Sequence, residues 1–230
     1  EYQWGYNHMM SVEGLFGSGD AVGGTPHAFS SGSFTEGRIA AKSACQYIDD
    51  GKAEGIKVSE ATLAKLKEEV FRPMEHYKIH RNDIVAGEVN PNYHNPRQEL
   101  DRLQKLMDEY CGGVTVNYMT NDKLLSIGLK KLKIMEEDLE KIAAKDLHEL
   151  LRAWEVKHRH RTSESVMQHT LFRKETRWPG YYYRGDALKL DDENWHVLTV
   201  SRRDPETGKY TMEKAPLYHL HDENEAAAAE

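Results

Sequence analysis

Along most of this chain the hydrophobic positions recur at helical spacing. Behind Ser59, Leu63, Leu66 and Val70 stand three and four residues apart. They predict a helix that ends before Pro73, because a proline disfavours helical backbone in the residue preceding it. Leu100, Leu103 and Met107 form a second stripe, opened by Pro96 and closed by Gly112-Gly113. Between the two, residues 73–96 carry three prolines and a poor hydrophobic period, and read as a linker. From Asn121 to about His158, Leu124, Leu125, Leu132, Leu139, Ile142, Leu147, Leu150 and Trp154 recur over a span too long for one ordinary helix. That span predicts two helices or one bent one, with a further short helix over 163–172. After Pro179 the pattern turns aromatic and extended in "GYYYRGD" and "DDENWH", and "SRRDPETGKYTMEK" reads as a hairpin.

The N-terminal part is patterned differently. Val12, Leu15 and Phe16 predict a brief strand closed by Gly17 and Gly19, and Gly23-Gly24 continue a permissive loop. Ser33-Phe34-Thr35-Glu36 matches the capping box, in which Ser33 and Glu36 satisfy each other's backbone donors. The expected helix carries Ile39, Ala40, Ala44 and Ile48 on one face and stops at Gly51. The fold class read from these elements is α-rich, of the α+β type. Its division falls between residues 1–72 and a helical region, 73–230, that ends in an extended aromatic tail.

Composition narrows the function. No run approaches the roughly 18 apolar residues of a membrane span. A net charge of −7 argues against a nucleic-acid partner. The two cysteines, Cys45 and Cys111, are far apart and form no CxxC pair, so they supply neither a zinc site nor an iron–sulfur cluster. Such sparse cysteine fits a reducing cytoplasm. Of twelve histidines, those in "KHRHR" (157–161) and "HLH" (219–221) tempt a metal assignment. His158 and His160, two apart, point to different helix faces, and a solvated basic helix end is the simpler reading. No metal site is expected.

The segment from Gly14 to Ala44 holds the strongest chemical signal. It has neither GxGxxG nor GxxxxGKS, so it is no Rossmann fingerprint or Walker loop. One reading is an ordinary strand–loop–helix turn. The sharper one is a cradle for a phosphate, ribose or flavin: an acid, Asp20, suited to a sugar or polyol hydroxyl, then a helix start with unpaired N–H groups. His27 sits in that loop, as a plain polar residue or as part of a substrate site.

"VEGLFGSGDAVGG" followed by "HAFSSGSFTEGRIAAK" resembles the last flavin-binding segment of the fumarate reductase and succinate dehydrogenase flavoprotein superfamily. "LHELLRAWEVKHR", "LFRKETRWPGYYYRGD" and "DDENWH" resemble the C-terminal helical region of alpha subunits in its adenylylsulfate reductase branch. The resemblance runs to about His221. It implies that residues 1–72 end an FAD-binding domain and that 73–230 form the C-terminal helical domain of a longer subunit. It implies FAD as cofactor, with Asp20 on a ribityl hydroxyl and Ser33 and Phe34 at the helix start facing the isoalloxazine. Phe29 then lies against the substrate adenine with His27 nearby, and the catalytic residues lie upstream. The implied reaction reduces adenylylsulfate to sulfite and AMP, or runs in reverse. Electrons come from an iron–sulfur beta subunit that carries the clusters. Dicarboxylate-handling relatives carry an arginine in a "HGANR"-like segment; "PHAFSS" here has none, which disfavours succinate or fumarate. The rivals are another flavoprotein of the superfamily and a helical subunit-docking module. In the docking reading, Trp178, Tyr182 and Trp195 bury against the iron–sulfur partner or the rest of the subunit.

Overall fold

A computed structural model describes residues 5–22, 30–53, 58–83, 90, 92–177 and 179–217. The chain divides into two compact units, Glu1–Ala64 and Lys65–Glu230. Among the described residues both are built chiefly from helices, as the α-rich pattern predicts, with only two two-stranded sheets.

The first unit is a loop laid on a helix. Residues 8–17 fold back on themselves: Met10 N donates to Leu15 O at 2.7 Å and Gly17 N to His8 O at 3.0 Å, around a single Met9–Phe16 bridge. The brief strand expected here is therefore one bridge, followed by a 310 turn at Gly19–Ala21. Helix α1, Ser30–Asp49, buries Glu36, Ala40, Ser43 and Tyr47. The expected face is thus rotated, leaving Ile48 exposed, because Tyr47 supplies the larger packing surface. Its ring meets Tyr6 and Phe16 edge-on at 5.2 and 6.2 Å between centroids, and its hydroxyl donates to Glu13 at 3.3 Å. Gly51, at φ +70°, stops the helix as predicted, and Lys52 N folds back to Tyr47 O at 3.1 Å.

Helix α2, Glu60–His80, opens on Ser59, whose Oγ accepts from Thr62 N at 3.1 Å. Contrary to expectation it runs through Pro73, so the first part of the supposed linker is helix. Proline removes the donor that Glu69 O would use and strains the turn around it. Tertiary contacts offset that cost. Trp154 Nε1 donates to the neighbouring Val70 O at 3.0 Å, Ala144 N donates to Pro73 O at 3.0 Å, and the proline is fully buried.

The core of the second unit lies among α3 (Pro96–Tyr110), α4 (Asp122–Leu139) and α5 (Leu147–Phe172). The start of α3 carries a capping box between Asn95 and Gln98 with proline in the first turn. Leu103, Leu106, Leu125, Leu132, Met135, Ala153, Val156 and Met167 fill the centre. The expected short helix over 163–172 is the continuation of α5, and Ser163 is buried inside it. "KHRHR" is accordingly mid-helix and not a solvated end: His160 is buried and its Nε2 lies 2.8 Å from Leu132 O. Burial holds that imidazole below its usual pKa, consistent with a neutral ring donating to the carbonyl.

Gly128 sets the spacing of these helices. A Cβ there would lie 2.8 Å from both Met167 Cε and Tyr110 Cβ. Gly128→Ala is expected to destabilise the fold by about 1–3 kcal/mol despite alanine's better helix propensity. A urea midpoint equal to or above that of the parent would show that Met167 moves aside freely.

β1 (Met119–Thr120), just before α4, pairs in parallel with β2 (Tyr183–Arg184) beyond α5, and the four-residue helix α6 covers Asp192–Trp195. The predicted hairpin is present as β3 (Leu198–Arg203) and β4 (Tyr210–Ala215). It is pinned to the bundle by His169, whose ring nitrogens lie 3.0 and 2.9 Å from Thr199 Oγ1 and Ser201 Oγ. Trp195, expected to bury against the iron–sulfur partner or the rest of the subunit, packs on residues of the second unit. It meets Phe172 edge-on, and Lys214 Nζ sits 3.7 Å from its ring centre. Tyr182 is half-buried, and Trp178 lies outside the described residues.

Candidate cofactor-binding site

Serine, threonine and glycine crowd the start of α1, and the loop before it is anchored there by one buried carboxylate. Gly19 N donates to Glu36 Oε2 at 2.7 Å. Gly19 has φ +66°, and a Cβ on it would come within 3.1 Å of Ser33 Oγ. Only glycine gives this turn both its backbone angle and its approach to the helix. Gly17 is similarly confined, since a Cβ there would meet Met10 Sδ at 2.7 Å. The 310 turn bearing Asp20 is thereby held on the first turns of α1, with Asp20 itself exposed.

The helix begins at Ser30, one turn before the expected cap, and Thr35 Oγ1 donates back to Ser31 O at 2.9 Å. Ser33 and Glu36 therefore form no capping box; Ser33 is already helical and Glu36 is committed to Gly19. In an α-helix starting at Ser30, Phe34 N donates four residues back. An α-helix leaves the amides of its first turn without an acceptor in the helix itself. Ser33 contributes a half-buried hydroxyl and Phe34 a ring that is 80% exposed. Asp20 and Ser33 are thus brought to one place through Gly19, and Phe34 follows in the chain. His27 and Phe29 lie outside the described residues, as do His219 and His221.

Glu36 was legible only as a capping residue, and its role as anchor carries no sequence signal. A second group went unread entirely. Arg184 is fully buried at the end of α5, where its guanidinium meets Asp122, Asp186 and the carbonyls of Thr170 and Arg173. Glu175, also buried, takes Arg173 Nη1 at 2.5 Å, Arg177 Nε at 2.7 Å and Asp191 N at 3.0 Å. These charges are mutually satisfied and serve the fold. Among the described residues no group of three His, Cys, Asp or Glu is placed to hold a metal ion, and no helix is long and apolar enough to cross a membrane.

The arrangement at α1 suits a ligand carrying hydroxyls for Asp20, negative charge for the helix start and a flat apolar face for Phe34. The chain is 43% identical over 218 residues to the adenylylsulfate reductase subunit alpha of Megalodesulfovibrio gigas, a match covering 94% of this chain and 32% of that protein. It superposes on the structure of adenylylsulfate reductase from the hyperthermophilic Archaeoglobus fulgidus with a TM-score of 0.89 at 49% identity. That match covers 94% of this chain and 33% of the other. An adenosine-5-phosphosulfate reductase in complex with sulfite, as a covalent adduct, gives the same TM-score, identity and coverage. The chain therefore spans about a third of the length of these relatives. A family model described as the fumarate reductase flavoprotein C-terminus matches residues 100–223, more than half of the sequence. The chain belongs to the fumarate reductase flavoprotein C-terminal family.

Proposed function

We propose that this chain is the C-terminal third of the alpha subunit of an FAD-dependent adenylylsulfate reductase, which reduces adenylylsulfate to sulfite and AMP or catalyses the reverse. The observation that carries this reading is the 49% identity, at a TM-score of 0.89, to a reductase whose complex with sulfite is known. The missing arginine in "PHAFSS" supports it over a dicarboxylate enzyme of the same superfamily. FAD, when bound, supplies the two-electron chemistry, and the residues at the start of α1 fit it. Asp20 accepts a hydrogen bond from a ribityl hydroxyl. Ser33 and Phe34 line the isoalloxazine side of the helix start, where the positive end of the helix dipole favours negative charge on the ring. His27 and Phe29, which lie between Asp20 and Ser33 in the sequence, are assigned to the substrate, with Phe29 against adenine. An iron–sulfur beta subunit delivers the electrons. The compartment is the cytoplasm, in keeping with two cysteines that are both free thiols.

Asp20→Ala in the intact subunit is expected to weaken FAD binding about tenfold or more. A charge-assisted hydrogen bond contributes about 1.5–3 kcal/mol. Flavin fluorescence on titration into the apoprotein reads the constant. An unchanged value would make Asp20 an ordinary turn residue. The reading as a whole is tested by the intact subunit's absorption spectrum and by AMP-dependent oxidation of sulfite. A reconstituted protein without flavin bands would overturn it.

A further inference from the structure

Glu99, on α3 in the second unit, is 1% exposed. Its Oε1 lies 2.9 Å from His94 Nδ1, while its Oε2 is buried without a hydrogen-bond partner. Arg102, on the same helix, comes only within 3.5 Å of Oε2, because its Nη1 is committed to Asp138 of α4 at 2.5 Å. Among the described residues, the charged and titratable groups around Glu99 are His94 from the preceding segment, Arg102 from its own helix and Asp138 from α4. The carboxylate is therefore both buried and under-satisfied, the situation in which ionisation is most costly.

What Glu99 holds is a joint. His94 N donates to Lys141 O at 3.1 Å, and Ala143 N donates to His94 O at 2.9 Å. One residue on, Ala144 N donates to Pro73 O, so the same stretch ties down α2. Ile142, Ala143 and Ala144 are all buried. The His94 imidazole is about a third exposed, which gives the pair access to protons from solvent.

We propose that Glu99 and His94 form a proton-controlled latch: a proton on the pair keeps the His94 segment closed on residues 141–144, and its loss loosens that joint. Burial raises the pKa of Glu99 and Asp138 adds to the rise, against the opposing pull of Arg102 and His94. The sign follows. A carboxyl whose pKa is higher in the closed state than in the open one favours closure fully below its open-state pKa. That preference is lost as pH rises through the closed-state pKa.

The test is amide exchange in the intact subunit, read on peptides covering 139–146 and corrected for the intrinsic pH dependence of exchange. Protection in the parent is expected to fall with rising pH above about 4.5, by at most tenfold per unit for one proton. Glu99→Gln, which keeps the shape without the charge, is expected to flatten that profile and to exceed the parent's protection at neutral pH. His94→Asn is expected to move the fall to higher pH, because it removes a group that favours the ionised carboxyl. Equal slopes in the parent and Glu99→Gln, or weaker protection of Glu99→Gln at every pH, would overturn the latch and leave a plain structural ion pair. If Glu99→Gln fails to fold, the parent and His94→Asn decide the matter alone: identical profiles reject the proposal.

Discussion

Arg184→Leu is expected to cost about 3–5 kcal/mol of stability, the range for removing one partner of a buried ion pair. The side chain is fully buried and each guanidinium nitrogen is in use. Nη1 reaches the carbonyls of Thr170 and Arg173, the latter at 2.7 Å, at the C-terminal end of α5. Nε and Nη2 meet Asp186 at 3.1 and 3.2 Å, and Nη2 also meets Asp122 in the first turn of α4. One cation thus sits at the negative end of one helix dipole and beside the carboxylates that complement the positive end of another. Leucine would leave two carboxylates facing each other and two carbonyls unpaired. Lysine would restore the charge but not the five-donor fork, so Arg184→Lys should recover only part of the loss. Urea denaturation followed by intrinsic fluorescence measures both variants. A loss below about 1 kcal/mol for leucine would mean that water replaces the guanidinium at little cost.

The same site sets an acid limit. Burial raises the Asp186 pKa, but hydrogen bonds from Arg184 and from the Asp122 amide outweigh it and bring it down to about 2. Its folded value therefore lies below the unfolded one, so its contribution is present above about pH 4 and is lost as pH falls towards 2. Because the side chain is 35% exposed, solvent screening limits that contribution to about 1 kcal/mol. In Arg184→Leu this step should shrink on the acid side of the stability profile, leaving only the part that the Asp122 amide maintains.

Phe29→Ala in the intact subunit is expected to weaken AMP and adenylylsulfate binding together, by about five- to hundredfold. Stacking of an aromatic side chain on a base is worth about 1–3 kcal/mol. Bleaching of the flavin absorbance by sulfite alone needs no adenine and should survive the change. That split separates adenine stacking from general damage to the flavin pocket. Equal loss of both would assign Phe29 to packing, and no loss of either would put adenine elsewhere.

Elements with local causes were legible in the sequence. Asn95-Pro96 with Gln98 starts α3 because cap, proline and reciprocal side chain all act within four residues. Gly51 ends α1 because a left-handed residue there needs no tertiary support. The hairpin at 198–215 follows from two short extended runs around an Asp204-to-Gly208 turn, where Asp204 accepts from the Glu206 and Thr207 amides. At the candidate site, Gly19 was legible because the turn's backbone angle and its approach to Ser33 demand glycine.

Other features depended on partners distant in sequence. Pro73 should end α2 on local grounds, yet the helix continues because Trp154 and Ala144, some 70–80 residues on, bind the carbonyls beside it. Ser163 looks like a helix start and is instead a buried residue within α5, where neighbouring helices outweigh its weak propensity. Ser33 and Glu36 have the spacing of a cap, but Gly19, seventeen residues before Glu36, takes the carboxylate, and α1 begins a turn earlier. Arg184 reads as a surface charge in "YRGD" until Asp122, 62 residues away, meets it in the interior. The sequence by itself determined the caps, stops, hairpin and helical class, because those arise within one or two turns of chain. Tertiary structure decided which breaks were overridden and which charges were buried, because a lost helical bond or a desolvated ion is compensated only by groups that folding brings near.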